Sequence, residues 1–177
     1  EGFLRLVSKP RSESPFYFID APTGMGKTET MLQGAEMLLE RFGLERIVYA
    51  VPQVSIADQI FEEYFGNAVS AQIWNYKRRE KSYEKVCNSS DEESNVSDIF
   101  ALQMEKHPFS ESYDVTTFNQ VMLSMLHPDR VRCTRYRGLC NSVIIMDEFH
   151  KLPMKILPLF FSAAREFAKV ENSIFIF

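Results

Sequence analysis

Short apolar runs alternate with helically spaced apolar residues along this chain. Phe16 to Asp20 is an aromatic-rich run bounded by Pro15 and Pro22, which reads as a buried strand. From Lys27 to Phe42, the residues Met31, Ala35, Leu38, Leu39 and Phe42 recur at spacings that fill one face of a helix, and Gly43 supplies a stop. Ile47 to Val51 predicts a second buried strand, closed by Pro52. Val54 to Phe65 returns to helical spacing through Ile56, Ile60, Phe61 and Tyr64, with Gly66 at its end. A third strand is expected near Val69 to Trp74. Between Tyr76 and Tyr113 the periodicity fails: Asn88 to Asn95 is polar throughout, and only Ile99 to Lys106 suggests a short helix. We read about 77–112 as an inserted, partly mobile segment. Regular patterning resumes with a strand at Asp114 to Thr117, a helix at Phe118 to Leu126 and a β-branched strand at Ser142 to Met146. A helix at Leu157 to Val170 and a strand at Ile174 to Phe177 complete the series.

Strands alternating with helices predict an α/β fold whose mainly parallel sheet is covered on both faces, so its strands need not alternate polar with apolar. Ligands of such sheets bind beyond the carboxyl ends of the strands. A length of 177 residues fits one domain, 1–177. No apolar run reaches the roughly 18 residues needed to cross a bilayer, and the N-terminus lacks a secretory layout. The chain opens on Glu1 and closes inside the apolar run Ser173 to Phe177, which suggests a portion of something longer. The formal net charge of −4 speaks against a large phosphate-neutralising surface but leaves room for a local one. Cys87, Cys133 and Cys140 form no Cys-x-x-Cys pair and have no histidine at zinc spacing, so free thiols in a reducing cytoplasm are expected.

The chemistry starts at Ala21-Pro22-Thr23-Gly24-Met25-Gly26-Lys27-Thr28, between the first strand and the first helix. A strand, a glycine-containing loop and Lys-Thr at a helix start form a P-loop arrangement. Gly24 and Gly26 let the backbone of the loop Pro22-Thr23-Gly24-Met25-Gly26 curl so that its successive N–H groups, those after the proline, surround phosphate oxygens. The helix adds its N-terminal partial charge. Lys27 can reach the β- and γ-phosphates, and the hydroxyl of Thr28 can ligate Mg²⁺. The general pattern has Gly where Ala21 stands; Ala is small enough to serve, and this spelling resembles superfamily 2 helicases.

Hydrolysis needs an acidic partner at the end of another buried strand. Ser142 to Met146 followed by Asp147-Glu148-Phe149-His150 has that form. Asp147 would hold Mg²⁺, directly or through water, Glu148 would polarise the attacking water as general base, and His150 would link the γ-phosphate to its surroundings. Asp-Glu-Phe-His resembles the D-E-x-H box of one superfamily 2 branch, with Phe where Ala or Val is frequent.

Two further stretches occupy places where such helicases touch nucleic acid: Pro52-Gln53 after the second strand, and Thr117-Phe118-Asn119-Gln120 after the strand at Asp114. Hydroxyls and amides there can bond phosphates without reading bases; Pro-Gln and Thr-Thr are equally ordinary turn and capping residues. The basic run Lys77-Arg78-Arg79 reads as a solvated loop face, and His107 and His127 each precede proline with no suggestive partner.

Taken together, Ala21 to Glu29, Thr117 to Gln120 and Val143 to Pro153 (V-I-I-M-D-E-F-H-K-L-P) resemble the CRISPR-associated helicase–nuclease of type I systems, over nearly the whole chain outside the insertion. The resemblance implies the first RecA-like domain, a three-layer P-loop fold, of an ATP·Mg²⁺-driven motor. It further implies translocation on single-stranded DNA in the 3′ to 5′ direction after recruitment to a guide-RNA surveillance complex. A second RecA-like domain with its arginine fingers, and an HD nuclease domain, would lie elsewhere, because this chain has no His-Asp dipeptide. The residues alone leave open a D-E-x-H RNA helicase, a nucleotide-dependent binding switch that moves no strand, and an α/β module with a vestigial loop.

Overall fold

The computed structural model describes residues 14–20, 26–65, 70–73, 111–126 and 130–177, with the backbone alone at 130–134. Six strands form one parallel sheet: β1 (Phe16–Tyr17), β2 (Arg46–Val51), β3 (Ala71–Ile73), β4 (Tyr113–Thr117), β5 (Ser142–Met146) and β6 (Ile174–Ile176). Their order is β1-β6-β5-β2-β4-β3, and every pairing is parallel. The helices are α1 (Lys27–Phe42), α2 (Val54–Ile60), α3 (Phe118–Leu126), α4 (Arg130–Leu139) and α5 (Leu157–Val170).

The strands sort their side chains by the two-residue period of extended backbone. Ile47, Tyr49 and Val51 of β2, Val143 and Ile145 of β5, and Ile174 and Ile176 of β6 pack with Met31, Ala35 and Leu38 of α1 and Ala57 and Ile60 of α2. The intervening residues Val48, Ala50, Ile144, Met146, Phe175 and Phe177 pack with Phe118, Val121, Leu139, Phe160, Ala164 and Phe167 from α3, α4 and α5. Each full burial of a side chain of this size is worth about 1.5–3 kcal/mol. The result is the expected three-layer α/β domain. Among the described residues, no helix is long and apolar enough to cross a membrane.

Most predicted elements appear near their predicted bounds. The first strand pairs over only two residues, although Ile19 N–H still donates to the Phe177 carbonyl at 2.7 Å. The third strand is described at 71–73. The helix expected to run evenly through Phe65 instead passes into a π-helical turn at Phe61–Phe65, which seats Phe65 against Tyr113 with ring centroids 5.4 Å apart. Helix α4 has no counterpart in the periodicity. Its segment R-V-R-C-T-R-Y-R-G-L carries four arginines and no apolar stripe; among its described side chains, Leu139 and Arg135 are buried and Tyr136 packs edge-on against Phe167. The predicted helix at Ile99 to Lys106, the polar run at Asn88 to Asn95, His107, His127, Cys87 and the Lys77-Arg78-Arg79 run lie outside the described residues.

Candidate nucleotide site

Helix α1 starts at Gly26, whose φ of 67° is left-handed. That conformation turns the chain from loop into helix, and the Gly26 carbonyl then accepts from the N–H and the hydroxyl of Thr30 at 3.0 and 2.9 Å. Lys27 and Thr28 therefore sit at the positive end of a helix of 16 residues. The preceding residues of the loop, Pro22, Thr23, Gly24 and Met25 among them, lie outside the described residues.

Asp147 continues β5 by one residue and keeps its period, so its side chain points to the α1 face, as Val143 and Ile145 do. Its N–H donates to the Ala50 carbonyl at 3.0 Å, which ties it to the end of β2. The carboxylate is nearly buried and meets two partners. Lys27 Nζ stands 3.3 Å from Oδ1, and the Tyr49 hydroxyl donates to Oδ2 at 2.8 Å. Oδ1 has no partner in hydrogen-bond alignment, so the lysine contact is an ion pair by proximity. Burial first, and then the neighbouring carboxylate, push the Tyr49 phenol well above its ordinary range, so it serves as a donor.

After Asp147 the chain leaves the sheet abruptly. Glu148 adopts a left-handed φ of 61°, and Phe149–Lys151 form one 3₁₀ turn closed by Lys151 N–H on the Glu148 carbonyl at 2.9 Å. The Glu148 carboxylate is half-exposed, 3.4 Å from His150 Nε2 and 3.3 Å from Lys151 Nζ. Phe149, the unusual third residue of the box, packs edge-on against Phe177 at 5.3 Å and Phe161 at 6.3 Å. These rings join Phe16, Phe18, Phe160 and Phe175 in a continuous aromatic cluster beside β1 and β6. The cluster is the physical reason a large ring fits where smaller residues are frequent.

A cleft of about 690 Å³ opens between these elements, at the carboxyl ends of β1, β5 and β6. It is lined by Phe18, Ile19 and Asp20, by Gly26, Lys27 and Thr28, by Asp147, Glu148, Phe149 and His150, and by Tyr64 and Phe177. All the described residues assigned from sequence to phosphate, metal and water thus face one space. Tyr49 and Tyr64 were not foreseen; a phenol within the otherwise aliphatic segment I-V-Y-A-V was the one signal for the first.

The residues assigned to nucleic acid form a second group. Val51 and Thr117 are register partners, so Pro52-Gln53 and Phe118-Asn119-Gln120 leave adjacent strands side by side. Gln53 and Asn119 are exposed. Thr117 is buried, and the Gln120 side-chain carbonyl accepts from Arg135 at 3.0 Å.

The family described as "Type III restriction enzyme, res subunit" matches residues 4–176. Among curated proteins, the "CRISPR-associated endonuclease/helicase Cas3" of Escherichia coli (strain K12) is 28% identical over 145 residues, which cover 75% of this chain and 16% of the relative. The "Putative CRISPR-associated nuclease/helicase Cas3" of Methanocaldococcus jannaschii is 26% identical over 141 residues, covering 78% of this chain and 19% of that protein. The chain thus spans less than a fifth of either relative. Among solved structures, T. fusca Cas3-ADP superposes with a TM-score of 0.69 at 18% identity, over 98% of this chain and 19% of that one. T. fusca Cas3-AMPPNP gives 0.67 at 20% identity, over 99% and 20%. Those superpositions carry the RecA-like fold. With a match running almost from end to end, the chain belongs to the family described as type III restriction enzyme, res subunit.

Proposed function

We propose that this chain is the ATP-binding first RecA-like domain, spanning 1–177, of an ATP-dependent single-stranded DNA translocase acting in CRISPR interference. One observation carries the reading: Lys27 and Asp147, from opposite ends of the sequence, meet at 3.3 Å in the cleft that Thr28 and Glu148 also line. A vestigial loop gives no reason for a lysine and a carboxylate to be held together at a helix N-terminus. The relatives solved as Cas3-ADP, Cas3-ATP and Cas3-AMPPNP support nucleotide as the ligand.

The residues present fit Mg²⁺. Asp147 Oδ1 is buried without a hydrogen-bond partner, and the Thr28 hydroxyl lines the same space, so the donors are oxygens of the kind this ion prefers. Thr28 and Asp147 would hold it, together with nucleotide phosphates; bound there, it would neutralise charge on the β- and γ-oxygens. Lys27 releases Asp147 and binds the same phosphates. Glu148 orients and deprotonates the attacking water, and His150, 3.4 Å from Glu148, couples that carboxylate to the nucleotide. Charge developing on the γ-phosphoryl also needs arginines, which a second RecA-like domain would supply and which are worth roughly 10³–10⁵ in rate in related NTPases. Residues 1–177 alone therefore turn over slowly. Pro52, Gln53, Thr117 and Asn119 form the backbone-tracking edge, with Gln120 held beside it by Arg135, and the working partners are single-stranded DNA and a guide-RNA surveillance complex in a prokaryotic cytoplasm.

The test is ATPase stimulation of the intact protein by single-stranded DNA and by RNA, with Glu148→Gln as comparison. DNA stimulation that Glu148→Gln lowers by roughly 10²–10⁴, with nucleotide still bound, is expected. Stimulation by RNA alone would instead identify a D-E-x-H RNA helicase.

A further inference from the structure

Tyr49 stands out in its strand. The rest of Ile47–Val51 is aliphatic, and Tyr49 itself is fully buried. A phenol in that position loses its water and must find a partner for its hydroxyl. The partner is Asp147 Oδ2, at 2.8 Å.

Two features make this more than a satisfied core tyrosine. The first is division of labour on the carboxylate. Tyr49 takes Oδ2, while Oδ1 faces Lys27 at 3.3 Å and accepts no hydrogen bond. The second is rigidity. Tyr49 is paired on both sides, with Val115 of β4 and Ile145 of β5, and its ring is enclosed in the core between sheet and α1. Its hydroxyl cannot follow a carboxylate that turns away. Thr28, the other oxygen donor assigned to the metal, stands beside the same phenol and beside that of Tyr64.

We propose that Tyr49 is a positioning residue for the nucleotide's metal: by holding Asp147 Oδ2, it fixes the carboxylate so that Oδ1 is the oxygen offered to Mg²⁺. The inference rests on reading Asp147 as the metal-holding carboxylate. Partners that orient a ligating group in this way typically contribute 10–100-fold to metal affinity. Mg²⁺ demands near-ideal octahedral geometry, so a carboxylate free to rotate disfavours it more than a tolerant ion.

The experiment uses Tyr49→Phe in the intact protein and a fluorescent ADP analogue, titrated with Mg²⁺ from a metal-free, chelator-treated start. Without metal, variant and wild type should bind the analogue within about two-fold of each other. The Mg²⁺ concentration for half-maximal tightening should rise about 10–100-fold in the variant. In steady state, kcat should return at saturating Mg²⁺ while the requirement for Mg²⁺ stays raised. Mn²⁺ should restore the variant more fully than Mg²⁺. Ile145→Val, which trims the same layer of core without touching the carboxylate, should keep the wild-type requirement, whatever it costs in thermal stability. A wild-type Mg²⁺ requirement in Tyr49→Phe overturns the positioning role and leaves the nucleotide site standing. An equal loss of affinity with and without metal shows a packing role only and overturns it too. A wild-type protein whose nucleotide binding ignores Mg²⁺ overturns the reading of the site, and this inference with it.

Discussion

Lys27 Nζ lies 3.3 Å from Asp147 Oδ1, although one residue opens α1 and the other directly follows β5. Both side chains are largely withdrawn from water, at 23% and 12% exposure, so the attraction is less screened than at an open surface. On the proposed reading, the lysine has two competing partners, this carboxylate and the phosphates of a bound nucleotide. The pair would then place the ammonium at the proposed site before the ligand arrives.

Removing that ammonium should cost nucleotide affinity more than fold. Lys27→Ala is expected to weaken ATP binding roughly 10–100-fold, the range for lost hydrogen bonds to charged groups. Calorimetric titration of the intact protein measures it; unchanged affinity would remove Lys27 from the site.

Gly26 tests the loop's backbone rather than its chemistry. A Cβ there would find room, since the nearest heavy atom is the Glu29 Oε2 at 3.9 Å, but φ is +67°. Gly26→Ala should destabilise the folded chain by about 1–2 kcal/mol, the cost of a left-handed L-residue. Urea unfolding gives the value, and a neutral result would mean the backbone turns differently at Gly26.

Asn119 and Gln120 should part company. Asn119 is exposed at the end of β4, whereas Gln120 is engaged by Arg135 at 3.0 Å. Asn119→Ala is expected to weaken single-stranded DNA binding by roughly 2–10-fold with the unfolding midpoint unchanged. Gln120→Ala should instead lower stability by about 1 kcal/mol, because it removes one hydrogen bond from a buried guanidinium. The reverse assignment, seen by fluorescence anisotropy and thermal unfolding side by side, would dissolve the proposed nucleic-acid edge.

Asp114 predicts a pH dependence unrelated to the nucleotide. It is fully buried in β4, its oxygens lack aligned partners, and burial pushes its pKa from 3.8 up to about 8 despite the nearby Gln72 and Arg46. Between those values the folded chain holds a proton that the unfolded chain has released. Stability from this group is thus fullest below pH 4 and falls as pH rises towards 8, by at most about 1.4 kcal/mol per pH unit. Asp114→Asn should flatten that slope in denaturant titrations between pH 5 and 8; an unaltered slope would mean Asp114 ionises normally.

Features that arise locally were legible in the sequence. Apolar periods placed five of the six strands and the helix that carries Lys27 and Thr28 close to their observed bounds, because those periods arise within a few residues of backbone. It also named Lys27, Asp147 and Glu148, since a Gly-Lys-Thr at a helix start and an Asp-Glu at a strand end are themselves short-range signals. Helix α4 escaped because the four arginines of its ten residues leave no apolar stripe to read. Tertiary structure alone decided which side chains meet. Tyr49 reaches Asp147 because β5 lies beside β2 in a register that pairs Tyr49 with Ile145. Phe149 finds its aromatic neighbours only because β6 lies between β1 and β5. Strand order and register follow from burying both faces of the sheet at once, a condition on the whole chain that no stretch of it contains.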